Sequence, residues 1–196
     1  MLVRSTKSAL RCWMLLVAAL GLTASALAAR LPPRPRPIEE AATARAPLGP
    51  ELRVGELTVR WCPQVHTYCG TMPRSLDPTG TLAGRIDIYF EYYPRLDQQA
   101  PSEGMLVAVE GGPGYPSTGS RSIYLPLYGP LRQHREVLLM DNRGTGRSQV
   151  IDCHVQHVAQ LKQWNIAECG RQLGATAPLY SGLYAAGDLA ALLSLL

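Results

Sequence analysis

The chain has 196 residues, 46% of them hydrophobic and 17% charged, with a formal net charge of +4, which is length enough for one domain with its own core. Three of the positive charges, Arg4, Lys7 and Arg11, crowd the amino terminus, so the remainder is nearly neutral. No basic stripe interleaved with aromatics follows, which leaves nucleic-acid binding without support.

Those early charges precede the apolar run WMLLVAALGL (Trp13 to Leu22) and then the small residues of ASALAAR. This is the order of a secretory signal peptide over residues 1–29, cut after Ala28 or Ala29. The apolar run is shorter than the roughly 20 residues of a spanning helix, so no stable membrane anchor is expected after cleavage. The expected location is outside the cell, in the periplasm or at the cell envelope. Residues 30–51, rich in Pro, Ala and Arg without an apolar period, read as a linker. The folded part is expected over residues 52–196.

Cleavage would leave Cys62, Cys69, Cys153 and Cys169. An even count in an exported chain points to disulfides. Three connectivities are open, and the local one, Cys62–Cys69 with Cys153–Cys169, is the expectation. The competing reading is zinc held by Cys153, His157 and Cys169. The chain has no C-x-x-C pair, and an oxidising compartment disfavours thiolate sites, so no metal is expected.

Next in the chain, ELTVRWC (Glu56 to Cys62) and GRIDIYFEYYP (Gly84 to Pro94) alternate like half-buried strands, with a turn region at LDPTG (Leu76 to Gly80). MLVAV (Met105 to Val109) and VLLM (Val137 to Met140) are continuous apolar runs, as strands buried on both faces are. The segment between them is long enough for a crossover, with a helix kept short or broken by Pro126 and Pro130. A polar helix is expected around His154 to Leu173. An amphipathic helix closes the sequence, with Leu183, Ala186, Leu189, Leu192, Leu193 and Leu196 on one face.

Each apolar strand ends in a glycine-rich turn, EGGPG (Glu110 to Gly114) and DNRGTGRS (Asp141 to Ser148). Neither is a phosphate cradle. A P-loop needs a lysine that is absent, and the spacing of a dinucleotide fingerprint is missed. No cofactor is expected.

The two turns, in this order and at this separation, resemble the α/β-hydrolase fold, and within it the secreted prolyl- and tripeptidyl-aminopeptidase branch. The likeness covers roughly residues 57–196. It implies the amino-terminal part of a mostly parallel sheet with helices on both faces. The cysteines, in Asp152-Cys153 and Cys169 to Gly174, are also similar to that branch. By the resemblance, Gly111 and Gly112 supply backbone N–H groups to an oxyanion hole, with Pro113 and Gly114 fixing the turn. Asp141, Arg143, Gly144, Gly146 and Ser148 form a supporting loop rather than a triad. Glu110 stands where the family has His or Asn. A carboxylate there opposes the developing charge, and Arg143 is its expected partner.

No G-x-S-x-G occurs in the sequence, and Ser148 in G-R-S-Q-V lacks the second glycine of a nucleophile elbow. The family's order is nucleophile, acid, base, so His66, His134, His154 and His157 come too early for the base and read as surface residues. The resemblance therefore implies a fragment of an exported serine hydrolase, cut before its nucleophile and inactive as it stands. The substrate would be a peptide or small acyl compound. The alternatives are an esterase- or lipase-like hydrolase, and a secreted binding module without catalysis.

Overall fold

The structure, a computed structural model, describes residues 47–111, 114–153 and 163–196. The expected signal peptide, most of the linker, Gly112, Pro113, His154 and His157 lie outside the described residues. Six strands form one sheet: β1 (Glu51–Val54), β2 (Leu57–Cys62), β3 (Thr67–Ser75), β4 (Arg85–Tyr93), β5 (Met105–Ala108) and β6 (Glu136–Met140). Their order is β1-β2-β3-β4-β6-β5. Among the described residues three α-helices accompany them: α1 (Arg121–Leu127), α2 (Gln163–Leu173) and α3 (Gly182–Leu193).

The expectation of a mostly parallel sheet flanked on both faces by helices is wrong. The sheet is mixed and mostly antiparallel, and helices are few. Only the β5–β6 ladder is parallel; β1–β2, β2–β3, β3–β4 and β4–β6 are all antiparallel. The reason is connection length. Gly55 and Glu56 alone separate β1 from β2, and the turns after β2 and β3 are also short. Such links permit only antiparallel neighbours, whereas a parallel pair needs a crossover of a dozen residues or more. Only the segment from β5 to β6 takes that route. It passes through a 3-10 turn (Ser117–Ser120), α1 with Pro126 inside it, and a second 3-10 turn (Gly129–Gln133).

The strand at GRIDIYFEYYP forms as β4. Ile86 and Ile88 are buried while Arg85 and Asp87 are exposed, but from Tyr89 onward every residue is buried. The change comes where β4 runs between β3 and β6. β3 carries no sequence signal, because Pro73 demotes the run TYCGTMPRS. The proline is tolerated since β2 pairs with β3 only over Thr67, Tyr68 and Cys69. Beyond those residues β3 has one free edge, where a missing N–H costs little.

Alternation along β6 divides the core. Leu138 and Met140 join Val59, Tyr68, Ile86, Ile88 and Phe90 on one face, and Leu192 of α3 packs among them. Val137 and Leu139 join Tyr93 and Ala108 on the other, against Tyr124 and Leu125 of α1. The face expected for the last helix holds in part, since Leu189, Leu192 and Leu196 pack against the core. Leu183 is 78% exposed and Leu193 is 42% exposed, while Asp188 is fully buried. Two guanidiniums turn the helix. Arg143 Nε and Nη2 reach Asp188 Oδ2 and Oδ1 at 2.7 and 2.8 Å, and Arg74 Nε reaches Oδ1 at 3.2 Å.

Disulfides join Cys62 to Cys69 and Cys153 to Cys169. The first ties β2 to β3, and the second ties the loop after residue 150 to α2. These bridges fit an oxidising compartment. Among the described residues no helix is long and apolar enough to cross a membrane, and no cluster of His, Cys, Asp and Glu could hold a metal ion.

Removing one member of the buried Arg143–Asp188 pair leaves the other charge unpaired, at a cost of about 3–5 kcal/mol. Asp188→Ala should lower the urea-unfolding free energy by that amount. A loss below about 1 kcal/mol would mean that α3 is held by its leucines alone.

Candidate functional site

The parallel pairing of β5 with β6 brings the turns at their carboxyl ends to the same edge of the sheet. Glu110 and Gly111 leave β5, and Asp141 to Ser148 leave β6. The loops are then stitched together by specific bonds.

Asp141 is the centre. It is fully buried, and its carboxylate accepts three hydrogen bonds. The Thr118 backbone N–H donates to Oδ1 at 2.9 Å, and the Thr118 hydroxyl and Arg147 N–H donate to Oδ2 at 2.9 and 3.0 Å. The carboxylate thus joins its own turn to the segment after β5. Ser148 completes the turn. Its hydroxyl donates to Asp141 O and accepts from Tyr89 N–H, both at 2.8 Å. The Gly144 N–H also donates to Ser148 O at 2.8 Å. Gly146 is required by the same geometry. Its φ is +49°, and a Cβ there would lie 2.3 Å from Asp141 Oδ2.

A second set of bonds sets the β5 turn. Glu110 N–H donates to the Ser117 hydroxyl at 2.8 Å, and Asn142 Nδ2 donates to Glu110 O at 3.1 Å. Glu110 is therefore gripped on both sides of its peptide, once from its own loop and once from the β6 turn. Gly111 follows in an exposed position where an added Cβ would meet nothing within 4 Å. Gly114 has φ of +104°, a conformation that side chains disfavour, again in open space.

Arg143 does not meet Glu110. Besides the two bonds to Asp188, its Nη1 donates to Leu76 O and Leu179 O at 2.9 and 2.8 Å, and its guanidinium lies over the Tyr184 ring at 5.3 Å. Its hydrogen bonds all go to Asp188 and these two carbonyls, so the expected Arg143–Glu110 partnership is not formed. Among the described residues, the groups that act on the Glu110 carboxyl are neutral. The Ser120 hydroxyl foremost, then the Tyr124 hydroxyl and the Gly111 N–H, hold its carboxyl below the usual range, while partial desolvation opposes them. Glu110 is consequently ionised at neutral pH. The nearby charge and desolvation raise the Tyr124 phenol above its ordinary value, desolvation being the larger cause.

Beneath these turns lies a buried group that the sequence did not announce. Glu91 is fully buried in β4. It accepts from Arg121 Nη2 and Nε at 2.6 and 3.0 Å and from the Tyr93 hydroxyl at 2.6 Å. Arg121 opens α1, so this pair fixes the start of the helix that carries Tyr124. A lone Glu in the aromatic run YFEYY was the available signal. Ser117 and Thr118 were also missed, since the sequence shows only a polar pair in a glycine-rich loop. Of the histidines, His66 is exposed and His134 half-buried, and neither approaches Glu110 closely enough to affect its ionisation.

The arrangement can offer a polarised backbone N–H at an open position beside a carboxylate. Compared with known protein families and with curated proteins, the chain gives no match.

If Asp141 holds the two loops together, Asp141→Asn must turn an acceptor into an NH2 that faces a donor. An unsatisfied buried group costs about 1–3 kcal/mol. Urea unfolding should show that loss, and Gly146→Ala should show a comparable or larger one because both its φ and its space are forbidden. Stability unchanged in both variants would remove Asp141 from the centre of the site.

Proposed function

We propose that this chain belongs to an exported serine hydrolase, an aminopeptidase-type peptidase working through an acyl-enzyme. Residues 110–114 supply half of its oxyanion hole, and residues 141–148 brace that half. The leader-like residues 1–29 are the export signal in this reading, and the two disulfides fit it. Residues 1–196 contain no G-x-S-x-G, so the nucleophile, acid and base would come from other sequence.

The observation that carries the reading is the Gly111 turn. It lies at the end of the edge strand β5, where the preceding Glu110 backbone is fixed from two loops, next to open space. Acyl transfer needs such preorganisation. The serine oxygen bonds to the carbonyl carbon and gives its proton to a base, while the carbonyl oxygen becomes negative. The leaving amine departs with that proton, and water then releases the acyl group. A backbone donor already held in place stabilises the negative oxygen without reorganising, worth about 3–4 kcal/mol per donor.

A non-catalytic secreted binding module is the second reading, favoured by the absence of a nucleophile motif from these residues. The complete product of the open reading frame, secreted and disulfide-bonded, separates the two. A fluorophosphonate probe should label it at a serine, and aminoacyl anilides should be cleaved. Folded protein that takes no label and cleaves neither anilides nor esters would give the binding module first place.

A further inference from the structure

Asn142 is the side chain of the β6 turn that reaches the backbone of the β5 turn. Its Nδ2 donates to Glu110 O at 3.1 Å. Its Oδ1 is closed off from solvent and has no hydrogen-bond partner among the described residues. An orphaned buried acceptor lowers stability, and an apolar residue of similar size would avoid that loss. Packing therefore does not account for an asparagine here. What the side chain contributes is its one hydrogen bond.

That bond acts on a particular peptide. Glu110 O and the Gly111 N–H belong to one planar trans unit and point in opposite directions across it. Drawing the carbonyl toward the β6 turn sends the N–H away from it. Among the described residues the Gly111 N–H donates to no backbone carbonyl, and an added Cβ at Gly111 would meet nothing within 4 Å. The preceding peptide is held separately, by Glu110 N–H donating at 2.8 Å to the fully buried Ser117. Asn142 is thus the side chain that fixes the peptide carrying the exposed donor.

A glycine at 111 makes such a hold necessary. Glycine takes φ of either sign at little cost, so the 110–111 peptide can turn over by rotation about the bonds on its two sides. Turned over, it presents the Glu110 carbonyl where the N–H had been. A carbonyl oxygen there opposes a developing oxyanion instead of stabilising it. The same freedom that opens the turn also allows it to point the wrong way.

We infer that Asn142 is a positioning residue for acyl transfer: its side-chain amide locks the 110–111 peptide with the N–H outward and keeps the carbonyl out of the oxyanion hole. The inference rests on the serine-hydrolase reading above and adds to it a residue that acts through the backbone of another loop. It also gives the orphaned Oδ1 a reason. The amide is kept for what its nitrogen does, and its oxygen goes unpaired as a consequence.

The test uses the complete gene product and three readouts: the rate of fluorophosphonate labelling, kcat and KM for an aminoacyl anilide or ester, and the urea-unfolding midpoint. Asn142→Ala and the near-isosteric Asn142→Leu each remove the donor and the orphaned acceptor together. In both, kcat should fall about 10- to 100-fold with KM nearly unchanged, and labelling should slow in proportion. Deleting a donor outright costs roughly 100- to 1,000-fold, and here the N–H remains but is aimed only part of the time. The urea midpoint should hold or rise, because the lost bond is offset by removal of the unpaired Oδ1. A residue that served the fold alone would instead lower the midpoint. An unchanged kcat with labelling retained overturns the inference and leaves the hydrolase reading intact. A fall in kcat that comes with a lower midpoint in both variants, or failure of both to fold, makes Asn142 structural and overturns the inference too. Folded wild-type protein that neither labels nor cleaves overturns the hydrolase reading and the inference with it.

Discussion

The Asp141 carboxylate is the constraint on which the site depends. It is one buried group, yet it fixes the relation between two loops that belong to different strands. The parallel β5–β6 ladder brings those loops to one edge, but a ladder sets strand positions only. The Thr118 and Arg147 bonds convert that adjacency into a fixed distance. Ser148 then joins the assembly to β4 through the Tyr89 N–H. A hydrophobic residue at 141 could fill the same space, but it could not orient two N–H groups and a hydroxyl at once.

Buried ion pairs extend the same logic outward. Glu91 with Arg121 sets the start of α1, and hence where Tyr124 stands. Asp188 with Arg143 and Arg74 sets the rotation of α3. Such pairs gain little net stability, because the desolvation of each charge nearly cancels the attraction. Their effect here is positional. They help set which face of each helix meets the sheet, and in α3 the buried Asp188 shares that face with Leu189 and Leu192.

Much of the framework was legible in the sequence. β2, β4, β5 and β6 follow from alternation or from continuous apolar runs. The broken crossover follows from Pro126 and Pro130, and both disulfides join the cysteines nearest in sequence. The sheet's character was not legible. EVLLM is buried throughout, as a central strand between β4 and β5, whereas MLVA lies at the sheet edge and is only half-buried, so an apolar run fixes neither the direction nor the place of a strand. Turn length is the better guide, but β1 is not among the strands read from the sequence, so its two-residue link to β2 shows only in the structure. β3 was hidden by Pro73, which pairing on one edge alone excuses. At the site, the two glycine-rich turns could be placed from sequence, but the side chains that join them could not. Thr118, Asn142 and Ser117 are ordinary polar residues until the strands bring them together. Arg143 was paired with the wrong carboxylate because Asp188, far along the chain and on an apolar helix, did not look like a partner.

The central claim is that the Asp141 carboxylate holds the two turns together through Thr118 and the Arg147 N–H. Amide hydrogen exchange of the folded protein, wild type against Asp141→Asn, tests it most directly. The Thr118 and Arg147 amides should be protected in the wild type and exchange faster in the variant, because the bonds that close them are weakened. Protection of both amides unchanged in the variant would contradict the account.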